Sequence, residues 1–359
     1  MGRRRLYRLR RSSLLITRSR RVTGDRRMVK RQVTVSAPGK LFLLGEHAVV
    51  FDGHALLTAV DSRLRLRLTY DSEAEAKLKI HAPDIGLEHW ESPLAEVLNR
   101  ETYTGKSSFI ESCFRLFHEQ MPLHGCFSVR TQSDFGAELG LGSSSAVVAA
   151  TLYALSQIFS SNLDRMTLFE MGLQAIQRVQ TLGSGADLAT AIFGGTIYYV
   201  NRVPRRVVQL SVDALPLLLV YSEAKAGTVN LVKQVQARYH QYPAIIEPII
   251  HAMLNVVERG KSAIEAQDWP TLGELMYIQH GLLHALGVDT QALADIVFTA
   301  KMHGAYGAKL SGAGGGDCAI VLSAPEQQAT LEDIFTKKSR RVLPFKPHAD
   351  GVRIEALSL

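Results

Sequence analysis

Residues 138–150 read E-L-G-L-G-S-S-S-A-V-V-A-A, and an apolar, alanine-rich run continues from there to about Phe159. The run has the length and the residue types of a helix, so the glycines should lie just before it and the serines in its first turn. A helix start carries unpaired N–H groups and a partial positive charge. Glycine lets the backbone approach an anion closely, and nearby hydroxyls can bind phosphate oxygens or magnesium. The stretch therefore indicates a polyphosphate site, although an ordinary serine-capped helix after a glycine turn has the same pattern.

Length and composition are those of a globular protein with two domains or one large domain. The chain has 359 residues, of which 46% are hydrophobic and 21% are charged. No apolar run reaches the roughly 18 residues of a membrane-spanning helix. The cysteines, Cys113, Cys126 and Cys318, are scattered, odd in number and without metal-binding spacing. This usage indicates a reducing compartment, and we expect a cytoplasmic protein that does not bind membranes.

The net charge of +7 comes from the first residues of the chain. Residues 1–31 hold 13 Lys/Arg and one acid, a net charge of +12, whereas the other 328 residues hold 28 Lys/Arg and 33 Asp/Glu, a net charge of −5. The body has no basic patch with interleaved aromatic residues, so nucleic acid is not expected as its ligand. Segment 1–32 could be a transit-like or nucleic-acid-binding arm, a disordered tail, or sequence upstream of a true start at Met28. We favour the last two interpretations, because a folded pattern begins only at Val33.

A cluster of chemically active residue types follows the first predicted strand. Residues 33–50 read V-T-V-S-A-P-G-K-L-F-L-L-G-E-H-A-V-V. Alternating apolar residues predict a strand, a turn at residues 38–39, and a second strand at residues 41–44. A single lysine at a turn is usually only solvated. Lys40 at the start of this short apolar strand and Glu46 and His47 at its end together indicate a site.

Asp187 follows a glycine-containing loop. Residues 167–180 are predicted to form a helix, and the loop T-L-G-S-G-A-D-L comes after it at residues 181–188. Asp187 then stands at the start of the next predicted helix. It either caps that helix or presents a carboxylate that orients or deprotonates a hydroxyl group.

The second half of the chain is predicted to be mainly helical, at residues 228–240, 244–266, 270–286 and 290–303. His280 and His284 share one helix face, but no third ligand accompanies them, so we predict no metal site there. Residues 307–321 read G-A-K-L-S-G-A-G-G-G-D-C-A-I-V, with strands on both sides of a loop. Four glycines in the six residues 311–316 indicate unusual φ angles or close contact with a ligand, because glycine weakens strands.

Together these stretches resemble the three signature motifs of the GHMP kinase superfamily, in the family's order. The matching segments are Ser36–His47, Gly140–Ala146 and Lys309–Cys318, and the resemblance covers residues 33–357. It implies an α+β fold with two domains. The N-terminal domain, residues 33–200, would be ATP-binding and similar to domain 2 of ribosomal protein S5. The C-terminal domain, residues 201–359, would be ferredoxin-like, and residues 1–32 would form a basic tail.

The resemblance implies ATP- and Mg²⁺-dependent transfer of a phosphoryl group to a small-molecule alcohol, with a homodimer left open. Asp187 would accept or orient the hydroxyl proton, with Lys40 beside it to lower the pKa of the hydroxyl. Ser144 would bind Mg²⁺. The implied nucleotide contacts are Gly140, Leu141, Gly142, Ser143, Ser144, Ser145 and Gly314. The implied acceptor contacts are Glu46, His47, Thr228, Ser311, Gly312 and Ala313.

Two branches of the superfamily compete for the acceptor. The segments 45–50 and 272–288 resemble the mevalonate kinases of isoprenoid precursor synthesis. The segments 314–318 and 225–228 are more similar to phosphomevalonate kinases. The magnesium-binding Glu usual in mevalonate kinases is absent, since Gln177 and its neighbours stand there and no Glu lies between Glu170 and Asp187. That absence leaves a non-catalytic, sugar-binding relative of the same fold as a further alternative.

Overall fold

Two β-sheets, each packed against helices, organise the chain. A computed structural model describes residues 30–136, 139–180, 183–212, 215–223 and 228–358. The strands are β1 (Lys30–Leu44), β2 (His54–Asp71), β3 (Lys77–Ala82), β4 (Leu87–Pro93), β5 (Cys126–Ser133), β6 (Thr196–Val200), β7 (Arg206–Leu210), β8 (Leu217–Tyr221), β9 (Gly307–Ser311), β10 (Cys318–Leu322), β11 (Val342–Leu343) and β12 (Arg353–Ser358). The helices are α1 (Leu94–Asn99), α2 (Ser108–Gln120), α3 (Ser143–Ile158), α4 (Arg165–Gln180), α5 (Ala186–Phe193), α6 (Thr228–Gln241), α7 (Pro243–Glu265), α8 (Trp269–Ala285), α9 (Gln291–Met302) and α10 (Pro325–Lys337).

Within the described residues, the larger sheet holds eight strands and is built around the long strand β2. Its main path has the order β12-β1-β2-β5-β3-β4, and β6 joins the first part of β2 and continues to β7. Leucines alternate with arginines along Leu64–Leu68, so the leucines are buried while Arg65 and Arg67 face outward. Helices α2 to α5 cover the apolar side of this sheet in one continuous core.

The smaller sheet has the order β11-β8-β10-β9 with antiparallel neighbours. Along the chain these elements run β8, four helices, β9, β10, α10 and β11. Strand order and connectivity are those of a ferredoxin-like βαββαβ unit, with the first crossover enlarged to four helices. A second core lies between this sheet and helices α6 to α10. The predicted α+β, two-domain fold is therefore confirmed.

The first strand and the sheet boundaries differ from the sequence prediction in two ways. Strand β1 starts at Lys30 and runs without a turn through Pro38-Gly39, where the pairing with β2 shifts in register. Proline has no N–H to donate to a neighbouring strand. It can remain in this paired strand because the shifted register at the bulge does not require that hydrogen bond. Strands β7 and β12 come from the predicted C-terminal part but pair in the larger sheet, so the division at residue 200 is crossed twice.

Helix boundaries follow the sequence pattern closely in the C-terminal half. Helices α6 to α9 begin and end within about two residues of the predicted ranges, because their apolar stripes repeat at helical spacing. Asp268 and Thr290 cap α8 and α9 with side-chain oxygens that accept a backbone N–H. Among the described residues, no helix combines the length and the apolar character required to cross a bilayer. The predicted tail falls mostly on residues 1–29, which lie outside the described residues.

Candidate active site

One cleft of about 350 Å³ brings the three glycine-containing stretches together. Its walls are the second half of β1 with the residues that follow it, the start of α3, the end of α4, residues 183–187, and Gly312, Ala313 and Asp317. A volume of this size is within the range of small-molecule sites. The predicted site residues that line the cleft are Lys40, Glu46, His47, Gly140, Gly142, Ser143, Ser144, Ser145, Asp187, Gly312 and Ala313.

Lys40 and Asp187 meet in the cleft. The Nζ atom of Lys40 lies 3.6 Å from Oδ2 of Asp187 and donates a hydrogen bond of 3.0 Å to the carbonyl oxygen of Gly140. The lysine side chain is only 6% exposed, whereas that of Asp187 is 35% exposed. The buried ammonium is therefore held between two oxygens, and the carboxylate remains accessible from the cleft.

Helix α3 presents its first turn to the cleft. Gly142 precedes the helix with a φ of +84°, a conformation that favours glycine. A Cβ atom there would also lie 3.1 Å from Cγ of Lys40. The glycine thus lets the helix start directly beside the lysine, with Ser143 and Ser144 half-buried in the wall. Backbone N–H groups and the helix dipole make this an anion-binding position.

Helix α5 also starts at the cleft and carries Asp187 in its first turn. The preceding loop is fixed by Tyr199, whose hydroxyl donates to the carbonyl oxygen of Ser184 at 2.6 Å. The Ser184 hydroxyl oxygen in turn accepts a bond of 3.3 Å from the backbone N–H of Ala186. The loop therefore has its own hydrogen bonds. The N-cap residue of α5 is Gly185, so the alternative in which Asp187 caps the helix is not what the structure shows.

Glu46 lies in the cleft wall with its carboxylate turned to Lys309. The Lys309 ammonium donates to Oε1 of Glu46 and to the carbonyl oxygen of Leu310. The other carboxylate oxygen of Glu46 is 3.4 Å from Nε2 of Gln279. Burial lowers the pKa of Lys309 from its ordinary value, and the charge of Glu46 opposes that change. Sequence reasoning did not find Lys309, because nothing in its neighbourhood marks a partner 263 residues away.

His47 connects the end of β1 to residues 312–316, which we call the glycine-rich loop. Its Nε2 lies 2.9 Å from the carbonyl oxygen of Ala313, so Nε2 carries the proton and donates. Burial lowers the pKa of His47, while that hydrogen bond and the charge of Glu46 act in the opposite direction. The imidazole is thus a neutral donor to the loop.

The other predicted contacts are not in the cleft wall. Ser311 accepts from the backbone N–H of Phe42 at 2.9 Å and donates to the carbonyl oxygen of the same residue at 3.1 Å. Gly314 packs on Val288, since a Cβ atom there would lie 2.2 Å from the Val288 carbonyl oxygen. Leu141 points into the core, and its carbonyl oxygen accepts from the backbone N–H of Lys40 at 3.0 Å.

Thr228 begins α6, and its side chain lies outside the described residues, as does the segment 224–227. No described contact therefore bears on the prediction that Thr228 binds the acceptor.

The structure adds two polar residues to the cleft. Gln180, at the end of α4, is part of the same lining as Asp187. Asp317 lines it beside Gly140, where an added Cβ atom would lie 2.5 Å from Oδ2 of Asp317. Asp317 also adopts a φ of +59°, which is uncommon for a residue other than glycine. Its position in the third motif could have suggested it, whereas Gln180 carried no distinguishing signal apart from the missing glutamate.

Comparison with known proteins agrees with the motifs. The family model described as GHMP kinases N terminal domain matches residues 108–195. The model described as GHMP kinases C terminal matches residues 261–337. The first match falls on the core of the larger sheet, and the second contributes buried residues to both cores.

Curated relatives match over nearly the whole chain. The chain is 36% identical to the mevalonate kinase of Pyrococcus furiosus and 33% identical to that of Pyrococcus abyssi, and each match covers 90% of this chain and 98% of the relative. Among solved structures, the mevalonate kinase of Methanococcus jannaschii is similar with a TM-score of 0.74 and 24% identity. That match covers 88% of this chain and 98% of the other.

Proposed function

This chain belongs to the mevalonate kinases of the GHMP kinase superfamily, and we propose that it transfers the γ-phosphoryl group of ATP to mevalonate, giving ADP and 5-phosphomevalonate. The observation that carries the proposal is the Lys40–Asp187 contact at the start of α3. A basic oxygen, a buried cation and an anion-binding helix start then share one cleft. This combination suits phosphoryl transfer, which depends mainly on positioning and charge neutralisation.

The start of α3, Asp187 and Lys40 each have a separate role in phosphoryl transfer. The N–H groups at the start of α3 bind the phosphates, with the hydroxyls of Ser143 and Ser145 as further donors. Asp187 receives or orients the proton of the acceptor hydroxyl. Lys40, fixed by Gly140, stabilises the negative charge that develops on the acceptor oxygen.

The residues at the cleft fit a magnesium ion carried mainly by the nucleotide. Among the described residues, no group of three or more His, Cys, Asp or Glu side chains could hold a metal ion. Mg²⁺ usually keeps several waters and takes one or two protein ligands besides substrate phosphates. Ser144 and the amide oxygen of Gln180 are the side chains we assign to it. When bound, the ion neutralises charge on the β- and γ-phosphates.

Charge in the cleft favours mevalonate over phosphomevalonate. Within the described part of the lining, Lys40 is the only Lys or Arg, and burial keeps His47 neutral by lowering its pKa. A phosphorylated acceptor would bring about two more negative charges, which usually require arginine or lysine partners. Lys225, which belongs to a segment resembling phosphomevalonate kinases, lies outside the described residues.

An acceptor panel tests the proposal. ADP release would be measured with mevalonate, phosphomevalonate, galactose and homoserine, and the product identified by phosphorus NMR. We expect kcat/KM for mevalonate to exceed the others by at least ~10-fold, because a substrate that leaves polar groups unpaired in a site is rejected by at least this factor. A preference for phosphomevalonate would reverse the assignment. ATP binding without turnover of any acceptor would support the non-catalytic alternative.

The cytoplasm is the compartment that we propose. The cysteines Cys113, Cys126 and Cys318 are all free thiols in the structure. Burial raises the pKa of Cys318 to about 12, so this thiol remains protonated and inert. Free thiols of this kind persist in a reducing environment.

A further inference from the structure

We propose that Lys309 is a positioning residue for phosphoryl transfer, because its ion pair with Glu46 fixes the glycine-rich loop against the strand that carries Lys40. The inference rests on the proposed kinase activity and assigns a role to a residue outside the cleft lining. Lys309 touches neither nucleotide nor acceptor in this assignment. It acts through Glu46 and through the loop that follows β9.

The pair joins the two sheets of the molecule. Lys309 is the central residue of β9 in the smaller sheet, and Glu46 comes two residues after β1 in the larger sheet. Their side chains are 0% and 1% exposed. Apolar residues of similar volume often replace such pairs without loss of stability, so stability alone does not explain two charges here. The two charges do allow only one position of β9 relative to the end of β1, since sliding one segment along the other would leave each charge buried without its partner.

Two further contacts tie the same segments together. Ser311 bonds to both backbone groups of Phe42, and His47 donates to the carbonyl oxygen of Ala313. The Glu46–Lys309 pair lies beside them, so residues 42–47 are linked to residues 309–313 at three points. The start of the glycine-rich loop is thus held in a fixed position against the end of β1.

These three contacts between residues 42–47 and residues 309–313 determine where the glycine-rich loop lies relative to the reacting groups. Lys40 comes two residues before Phe42 on β1, and Gly312 comes directly after Ser311. A Cβ atom on Gly312 would lie only 3.9 Å from Nζ of Lys40. Any displacement of β9 along β1 therefore moves the loop backbone relative to the catalytic ammonium. Misplacement of a reacting group by about 1 Å can lower the rate ~10²-fold.

The carboxylate of Glu46 is already engaged at both oxygens. Oε1 accepts from Lys309, and Oε2 is 3.4 Å from Nε2 of Gln279, a fully buried residue of α8. A carboxylate with these partners is a poor contact for a bound alcohol. Glu46 therefore acts on the site through Lys309 and through its neighbour His47.

Three variants test the inference: Lys309→Met, Glu46→Gln and the double variant with both changes. Each single variant leaves one buried polar or charged group without its partner, so its Tm should fall. The double variant carries no unpaired charge and should regain most of the lost Tm. If the pair positions the loop, the double variant will still show kcat/KM for the acceptor reduced by at least ~10-fold, with KM for ATP within ~3-fold of wild type.

Glu111→Gln is the matched control. Glu111 is also 1% exposed and ion-paired, to Arg100, but it lies on α2 outside the cleft lining. It should lower Tm and keep the acceptor kinetics. Each variant would be assayed at a temperature the same number of degrees below its own Tm. The comparison with Glu111→Gln then holds even if the double variant remains less stable than the wild type.

Two outcomes overturn the inference. One is a double variant that regains wild-type kcat/KM, and the other is a Glu111→Gln variant with an equal kinetic loss. The assay uses the alcohol that the wild-type chain phosphorylates fastest. A wild-type chain that phosphorylates none would defeat the proposed function instead, so the two failures are distinguishable.

Discussion

Lys40 and Asp187 are separated by 3.6 Å although they lie 147 positions apart in the sequence and on different elements, β1 and α5. The Gly140 carbonyl oxygen holds the ammonium from a third element at 3.0 Å. The couple is therefore positioned by the fold before any substrate arrives. Preorganised charges of this kind lower the barrier because they need no rearrangement during the reaction.

Asp187→Ala is expected to lower kcat by at least ~10²-fold, the lower end of the range for general acid–base groups. Binding of a fluorescent ATP analogue should be kept, since the N–H groups of α3 remain in place. Asp333→Ala, at an exposed carboxylate on α10, is the control and should retain wild-type kcat. Full activity of Asp187→Ala would remove this carboxylate from the mechanism.

Ser144→Ala is expected to raise the Mg²⁺ concentration for half-maximal activity several-fold, because it removes a hydroxyl ligand. The change should leave Tm close to wild type, since Gly142 is the N-cap residue and no side chain caps this helix. Mg²⁺ titrations at saturating ATP would measure the shift. Ser161→Ala, outside the cleft lining, should titrate like wild type, and an unchanged Mg²⁺ requirement in Ser144→Ala would contradict the assignment.

Sequence alone was sufficient for the features that depend on local chemistry. Glycine before a serine-rich helix start, and the capped helices α8 and α9, have signals within a few residues of themselves. The resemblance to the family then predicted that Lys40, Ser144 and Asp187 share one site, and in the structure all three line the same cleft.

Features that depend on distant pairing were not predictable. The sequence suggested that Glu46 lies near the acceptor, and the residue does line the cleft, but its buried ion pair with Lys309 depends on how the two sheets pack together. Pro38-Gly39 is a turn signal locally, yet pairing with β2 extends the strand through it as a bulge. In both cases a tertiary contact overrides a local preference.

Gln180→Glu is expected to lower the Mg²⁺ concentration for half-maximal activity by roughly 10-fold, because a carboxylate is a better ligand for a hard cation than an amide. Gln180 lines the cleft, whereas Gln177 on the same helix is exposed and lies outside the lining. Gln177→Glu adds the same charge to the same helix and is the matched control. Binding of Mn²⁺ with ADP, followed by paramagnetic resonance, would measure affinity apart from turnover. Equal effects of the two variants would show a general field of the added charge rather than a ligand position.

His47→Asn is expected to weaken the pH dependence of stability on the acidic side. Burial lowers the pKa of His47 below its ordinary value of 6.5, against the opposing effects of Ala313 and Glu46. Below about pH 6.5 the imidazole of His47 is therefore protonated in the unfolded chain but still neutral in the folded chain. The free energy of unfolding falls as the pH falls toward the pKa that His47 has in the folded state. Above about pH 6.5 both states are neutral, and this residue contributes no pH dependence.

The measurement is Tm between about pH 8 and about pH 5, a range that spans histidine titration. The decline of Tm should be smaller in His47→Asn than in wild type, and asparagine suits the φ of +59° at this position. Burial lowers the pKa of His280 as well. Because His280 is present in both proteins, the difference between their Tm profiles measures the effect of His47. His303→Asn, at an exposed imidazole, should keep the wild-type profile. Parallel profiles for wild type and His47→Asn would mean that the buried imidazole accepts a proton as readily in the folded protein as in water.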